Sequence, residues 1–281
     1  MNIVLRFAAF MAQLLPQSVK QAIYRIKPLA GFLRGSLNAA APHGLTQVQV
    51  AAGELAGMNL MLDLHTEKDY WLGTYEPELQ RAAHDLIKTG MVIYDIGANI
   101  GYISLMCAKL SGGKGVVYAF EALPANIERL KNNIALNDFS RRIQVNQFAV
   151  VEASRQVEFL IHSSGAMGKA VGSAGRSEQY DHTIKVKGIS LDDFIFRFGN
   201  PKPELIKMDI EGGEILAVKG MQRTLKDIHP LFLIELHGQE AAEATWNALK
   251  SSGYKIQQMA VGYPQIDSLA QLGWKSYIIA K

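Results

Sequence analysis

Two acids and two glycines carry the first chemical expectation. Asp95 opens the segment Asp95-Ile-Gly-Ala-Asn-Ile-Gly101, and Glu121 closes an apolar run further along. Gly97 and Gly101 let the backbone approach a ligand closely, with Asn99 between them. An acid at the end of the next strand is placed to accept both hydroxyls of a ribose, as in nucleoside-binding α/β folds. An adenosine moiety is implied. The dinucleotide fingerprint G-x-G-x-x-G leaves a helix N-terminus free for pyrophosphate, whereas this loop reads Asp-x-Gly-x-Asn-x-Gly. By charge sign, a carboxylate at its start suits a cationic amino-acid portion better than phosphates. Asp95 alone is equally a turn cap and Glu121 alone a solvated strand end; the pair at this spacing favours the nucleoside.

Such groups need a scaffold, and the apolar pattern supplies one. Met91-Val92-Ile93-Tyr94-Asp95 reads as a strand, followed by the glycine loop and an amphipathic helix from Tyr102 through Leu110. Gly115 to Glu121 repeats the pattern, and a helix carrying Ile127, Leu130, Ile134 and Leu136 follows. Strands joined by helical crossovers pair in parallel with right-handed connections, which predicts an open, doubly wound α/β sheet covered on both faces. Ligands of such sheets sit beyond the carboxyl ends of the strands, where Asp95 and Glu121 fall.

The chain resembles the FkbM-type class I methyltransferases in several segments over about residues 70 to 240. These are the Asp95–Gly101 loop, Phe120-Glu121-Ala-Leu-Pro124, Ala149-Val150, Ser190-Leu191-Asp192-Asp193, Lys207-Met-Asp209-Ile-Glu211-Gly212-Gly-Glu214 and Ile234-Glu235-Leu-His237. The resemblance implies a Rossmann-like seven-stranded sheet of order 3-2-1-4-5-7-6 with the last strand antiparallel. It also implies S-adenosylmethionine as methyl donor and, typically, a hydroxyl oxygen as acceptor. The Glu-Ala-Leu-Pro turn departs mildly from the usual Glu-Pro and leaves the ribose role of Glu121 intact.

The later segments take places in that frame. Ile143 to Val150 reads as the third strand, with Gln147 to Val150, Ala149 among them, edging the adenine pocket. Val157 to Ile161 and Ile184 to Val186 read as added edge strands, and the Gly- and Ser-rich stretch Ser163 to His182 as a long loop, either a mobile flap over the acceptor site or a surface insertion. Leu205 to Asp209 is the fourth strand, placing Asp209 beside the transferred methyl, and Leu231 to Glu235 the fifth, with His237 just past its end. Methyl transfer demands alignment of the acceptor and removal of its proton. His237 has a suitable ordinary pKa for that, with Asp209 binding the acceptor hydroxyl or orienting the base. Alternatively, Asp209, Glu235 and His237 hold a divalent metal such as magnesium that acidifies the acceptor. Glu211 and Glu214 could merely complement a helix dipole, and His237 could be an ordinary loop histidine. Tyr75 and Glu76, ahead of the first strand, could cover the methionine end of the cofactor, with Glu76 pairing its ammonium; packing alone could also explain Tyr75.

Bulk properties fit an enzyme of this size. The chain has 281 residues, 48% of them hydrophobic, and a net charge of +3, too mild for the basic footprint of a nucleic-acid partner. The lone Cys107 has no partner for a disulfide and reads as buried structure. Three regions are expected: a helical arm over 1–45, a β-hairpin lead-in over 46–75 and the main domain over 76–281. The apolar run Phe7 to Ala12 is shorter than the roughly 20 residues that span a bilayer, and the following stretch from Ser18 reads as a basic amphipathic helix interrupted near Pro28. That arm either packs on the domain or lies on an anionic membrane surface; in both cases the expected compartment is the cytoplasm, in the second at the inner membrane face. The acceptor is expected to be a small molecule or a glycan or lipid-linked molecule. Two other functions stay open: a nicotinamide-dependent oxidoreductase, disfavoured by the missing fingerprint, and a non-catalytic membrane-associated protein that binds the same cofactor.

Overall fold

Val92–Ile96 (β3) is an apolar run that buries side chains on both of its faces, and such a run is stable only inside a parallel sheet covered by helices on both sides. In the computed structural model, which describes residues 2–15, 19, 22–23, 26–162, 167–175 and 180–281, it lies at the middle of a seven-stranded sheet. With Val116–Phe120 (β4), Ile143–Asn146 (β5), Leu205–Met208 (β10), Leu231–His237 (β11), Ile256–Gln258 (β12) and Lys275–Ala280 (β13), the order is β12-β13-β11-β10-β3-β4-β5. Numbered by their place in the sheet-forming sequence, that is 6-7-5-4-1-2-3. The last strand runs antiparallel to its neighbours, as the resemblance implies.

Register places the chemistry. Ile96 is level with Phe120 on one side and with Met208 on the other. Asp95, Glu121 and Asp209 therefore emerge at one edge, across the ends of three adjacent strands. Alternation along β3 divides the core: Ile93 joins the apolar layer beneath Tyr102–Leu110 (α5), and Tyr94 and Ile96 join the layer on the opposite face.

Two elements differ from expectation. The third strand does not run to Val150. The Phe148 amide bonds to the Asn146 carbonyl at 3.0 Å, which turns the chain out of the sheet. Ala149–Val150 (β6) then pairs in parallel with Tyr180–Ile189 (β9). Nor do the added strands edge the main sheet. Gln156–His162 (β7), Gly168–Ala170 (β8) and β9 join β6 in a separate four-stranded sheet around Val157, Phe159 and Val186. The stretch expected as a loop thus contains β8 and the start of β9, and its residues 163–166 and 176–179 lie outside the described ones.

Ahead of the main sheet, Leu45–Gln49 (β1) and Asn59–Asp63 (β2) form the antiparallel pair, with Val48 opposite Leu60. Lys68–Leu72 (α3) and Pro77–Leu86 (α4) follow, the latter with its proline in the first turn, where the missing N–H costs nothing. Among its described residues the arm includes Ile3–Leu14 (α1) and Lys27–Ala40 (α2). They bury Leu5, Ala12, Ala30 and Leu37. Pro28 sits in the first turn of α2; of the amphipathic stretch expected from Ser18, residues 18, 20, 21, 24 and 25 lie outside the described ones. Among the described residues no helix is long and apolar enough to cross a membrane. Cys107 is buried in α5, and burial pushes its thiol pKa up.

The pair β1–β2 is fastened to Pro124–Ala135 (α6) by asparagines. Asn133 accepts from the Met61 amide at 2.8 Å and donates to the Ile100 carbonyl at 2.9 Å, so one buried side chain ties hairpin, helix and glycine loop together. Replacing it (Asn133→Ala) strands a buried donor and a buried acceptor at about 1 to 3 kcal/mol each. Urea unfolding should show a loss of about 2 kcal/mol or more; a loss below about 0.5 kcal/mol would show that the clamp does not hold the fold.

Candidate functional site

The loop after β3 takes a path that few side chains permit. Gly97, Asn99 and Gly101 have φ of 80°, 48° and 93°. A methyl on Gly97 would lie 1.9 Å from the Asp209 carbonyl oxygen, and one on Gly101 would lie 2.5 Å from Leu130 Cδ1. The two glycines therefore admit the neighbouring strand end and helix α6. Gly97 and Asn99 also line the cleft described below, whereas Gly101 does not; the expectation that Gly101 opens the backbone to a ligand is replaced by helix packing.

Glu121 is the clasp of this loop. Its Oε2 accepts from the Asn99 amide at 2.8 Å, and its Oε1 accepts from the amides of Ala122 and Leu123 at 2.9 and 2.8 Å. Burial raises its pKa, and these amides, with the Asn126 side chain, oppose the rise. A carboxylate offers about four lone-pair directions, and four donors already share them. Of these donors the Asn126 side chain is the one that is not backbone.

Asp95 is placed differently from its expected role. It is fully buried and absent from the cleft wall. Ser104 donates to its Oδ2 at 2.5 Å, and Lys207 Nζ lies 3.3 Å from its Oδ1. Lys207 also donates to the Gly97 carbonyl at 3.0 Å and stands 3.9 Å from Asp209 Oδ2. Burial would lower the lysine pKa, but Asp95, Asp209 and Glu76 outweigh it and raise it. Asp95 thus acts on the cleft through Lys207. The charge-sign argument assigned it an external cation, and the chain itself provides one.

Behind Asp209 lies a congested group of carboxylates. His237 Nε2 is 2.9 Å from Glu235 Oε1, and its Nδ1 is 3.6 Å from Glu214 and 3.8 Å from Asp209. Glu211 is 3.9 Å from Nε2. Burial would lower the imidazole pKa, yet Glu214, Glu235 and Asp209 raise it to about 10. These carboxylates favour the imidazolium form of His237, which does not line the cleft. Both features count against the expected neutral imidazole base. Glu235, despite burial, is held down at about 2 by His237 and Lys275. Burial, with Glu235 and Glu211 adding to it against Lys207 and His237, raises Asp209 to about 7. Burial, together with Asp209 and Glu235, raises Glu76 to about 8. Glu214 is also fully buried and accepts from the Ile210 amide at 3.1 Å, closing the turn that presents Glu211.

Two trios bring one ligand atom from each member within 4.8 Å of the others: Asp209, Glu211 and His237, and Glu76, Asp209 and Glu235. The expected trio of Asp209, Glu235 and His237 does not converge in this way; Asp209 approaches the imidazole at Nδ1 and Glu235 at Nε2.

The cleft encloses about 250 Å³. Of the residues that the sequence reading assigned to the cofactor, Gly97, Asn99, Glu121, Ala149 and Asp209 line it, whereas Glu76, Asp95 and Gly101 do not. It is also lined by Tyr75 and Phe148, expected at the methionine end and the adenine edge, and by Tyr70, Tyr102, Lys169 and Lys207, to which the sequence assigned no role. Tyr70, Tyr75 and Tyr102 pack against one another, tilted or edge-on, with centroids 4.3, 5.0 and 5.7 Å apart. One of the residues without an assigned role left a trace: a lysine in the middle of the buried strand Leu205-Ile206-Lys207-Met208 must find a carboxylate. Tyr70 and Tyr102 left none, since they are placed together only by the fold.

Residues 95–256 match the family model of the methyltransferase FkbM domain. The hexuronic acid methyltransferase AglP of Haloferax volcanii is 27% identical over 147 residues, 52% of this chain and 56% of that protein, so the match spans little more than half the relative's length. Among solved structures, the methyltransferase FkbM from Methylobacillus flagellatus aligns with a TM-score of 0.46 at 19% identity, over 77% of this chain and 53% of that one. An S-adenosylmethionine-dependent O-methyltransferase from Thermotoga maritima aligns at 0.43 and 12%, over 73% and 64%.

The carboxyl of Glu76 has an ordinary pKa of 4.5 and is raised to about 8. Between these values the folded chain keeps a proton that the unfolded chain releases, so stability falls as pH rises through the window. Glu76→Gln removes that cost. Its melting temperature should decline less than that of the parent between about pH 5 and about pH 8; two parallel curves would contradict the assignment.

Proposed function

The chain belongs to the FkbM methyltransferase domain family, and we propose that it transfers the methyl group of S-adenosylmethionine to a hydroxyl oxygen of a sugar or glycan, a hexuronic acid being the first acceptor to try. The observation that carries this reading is the register of three strand ends, which sets Glu121 and Asp209 on either side of the Gly97 turn in one cleft. In this reading Glu121 takes a ribose hydroxyl, and Ala149 and Phe148 border the adenine. Glu76, behind the cleft wall beside Tyr75, is assigned the methionine ammonium. Tyr70 and Tyr75, whose rings stand near enough to feel the charges of Glu76 and Asp209, form the aromatic wall for a sulfonium cation. The hexuronic acid choice comes from the relative acting on one.

In the transfer an acceptor oxygen forms a bond to the methyl carbon as the carbon–sulfur bond breaks, and the hydroxyl proton must leave. Asp209 is the group for it. It lines the cleft, and its pKa of about 7 matches the work of a general base at neutral pH. His237 is a positioning residue: its positive charge keeps Asp209 from rising further, and it orders Glu235.

A second reading of the same groups is a divalent cation held by Asp209, Glu211 and His237, favoured by the convergence of their ligand atoms. It would acidify the acceptor hydroxyl. The two readings exclude each other at His237, since an imidazolium cannot coordinate a metal.

The test is transfer of labelled methyl from S-adenosylmethionine to hexuronic acid and other hydroxylated sugars. Asp209→Asn should lower turnover by about 10² to 10⁴-fold. The parent's kcat/KM for S-adenosylmethionine, which reports the free enzyme, should rise with pH through about 7, and His237→Asn should move that rise to higher pH. Loss of the rise altogether in His237→Asn would return the base role to the histidine. Dialysis against a chelator should leave activity unchanged; loss that magnesium restores would select the metal.

A further inference from the structure

Helix α1 is apolar on both sides. Leu5 and Ala12 face inward and are buried, while Ile3, Phe7, Phe10 and Leu14 lie 81%, 64%, 54% and 61% exposed. Those four recur at the spacing of one helical stripe. On α2, Phe32 is 72% exposed, with Leu29 beside it. Of the fifteen large apolar side chains exposed among the described residues, ten fall between residues 3 and 33, a concentration that marks an interaction surface rather than scattered surface apolarity.

The charges of the same segment name the partner. No Asp or Glu precedes Glu54, whereas Arg6, Lys20, Arg25, Lys27 and Arg34 all lie within it, and Arg6, Lys27 and Arg34 are exposed. A second copy would set like charge against like. An anionic lipid surface satisfies both features together, with the aromatic and aliphatic stripe entering the boundary of the acyl chains and the cations meeting the headgroups. We propose that the two helices of the arm dock the protein on an anionic bilayer surface.

The arm is coupled to the cleft. Lys68 at the start of α3 donates to Asn38 of α2 and, at 2.9 Å, to the His65 carbonyl, and Tyr70 of that same short helix lines the cleft. Docking therefore sets the cleft near the membrane, where lipid-linked glycans become reachable acceptors; this last consequence rests on the methyltransferase reading, whereas the docking does not.

The full chain is sedimented with vesicles of phosphatidylcholine alone and of phosphatidylcholine mixed with phosphatidylglycerol. Binding should be about tenfold or more tighter to the anionic vesicles and should weaken with salt. The pair Phe7→Ser with Phe10→Ser, and separately Arg6→Glu with Lys27→Glu and Arg34→Glu, should each weaken it by about tenfold or more without changing the melting temperature or the affinity for S-adenosylhomocysteine. No binding at low salt, or equal binding to both vesicles, overturns the proposal. So does a dimer in solution that the phenylalanine variants dissociate, because a second copy would then cover the stripe. Because the readout needs no methyl transfer, it stands or falls apart from the catalytic reading.

Discussion

An ammonium group taken out of water must be surrounded by carboxylates and carbonyls or lose its proton, and the Lys207 side chain, 4% exposed on the central sheet, has both. Asp95 from the adjacent strand, the Gly97 carbonyl and Asp209 from the end of its own strand converge on it. This one cation joins β3 to β10 where the cleft opens, and it fixes the turn that Gly97 alone can make against the Asp209 backbone. The loop path, the clasp by Glu121 and the position of Asp209 all depend on it.

The surplus of negative charge around that cation explains the rest of the site. Glu76, Asp209, Glu211, Glu214 and Glu235 crowd against Lys207, His237 and Lys275, and not all can ionise without cost. The charge is divided unequally. Glu235, touched by two cations, is held down, while Glu76 and Asp209 are raised toward neutrality. A ligand that brings a positive charge to the cleft would relieve both. A sulfonium and an ammonium on one cofactor are such charges, whereas a pyrophosphate would add to the crowding. The electrostatics thus argue against a dinucleotide from the structure as the missing glycine does from the sequence.

Much of the scaffold was legible because local signals and fold agree. Each central strand is an apolar run that ends at an acid, and each crossover helix has its own periodicity, so the parallel sheet followed from sequence and its order from the family resemblance. What was not legible depends on partners remote in sequence. Residues 147 to 150 continue the pattern of a strand, and only pairing with β9 takes Ala149 and Val150 into a different sheet. Asp95 looked available for a ligand because nothing near it in sequence offers a cation; its cation lies on β10. The protonation of His237 depends on Glu214 and Asp209 meeting it from other elements, which residue types alone do not disclose.

The central claim is that this cleft is built for an S-adenosyl ligand with a positive charge. Calorimetric titration with S-adenosylhomocysteine, and separately with NAD and NADP, tests it most directly. The account predicts binding of S-adenosylhomocysteine alone, weakened about tenfold or more in Glu121→Ala as a charge-assisted hydrogen bond is lost. Binding of a nicotinamide nucleotide, or of none of the three, would contradict it.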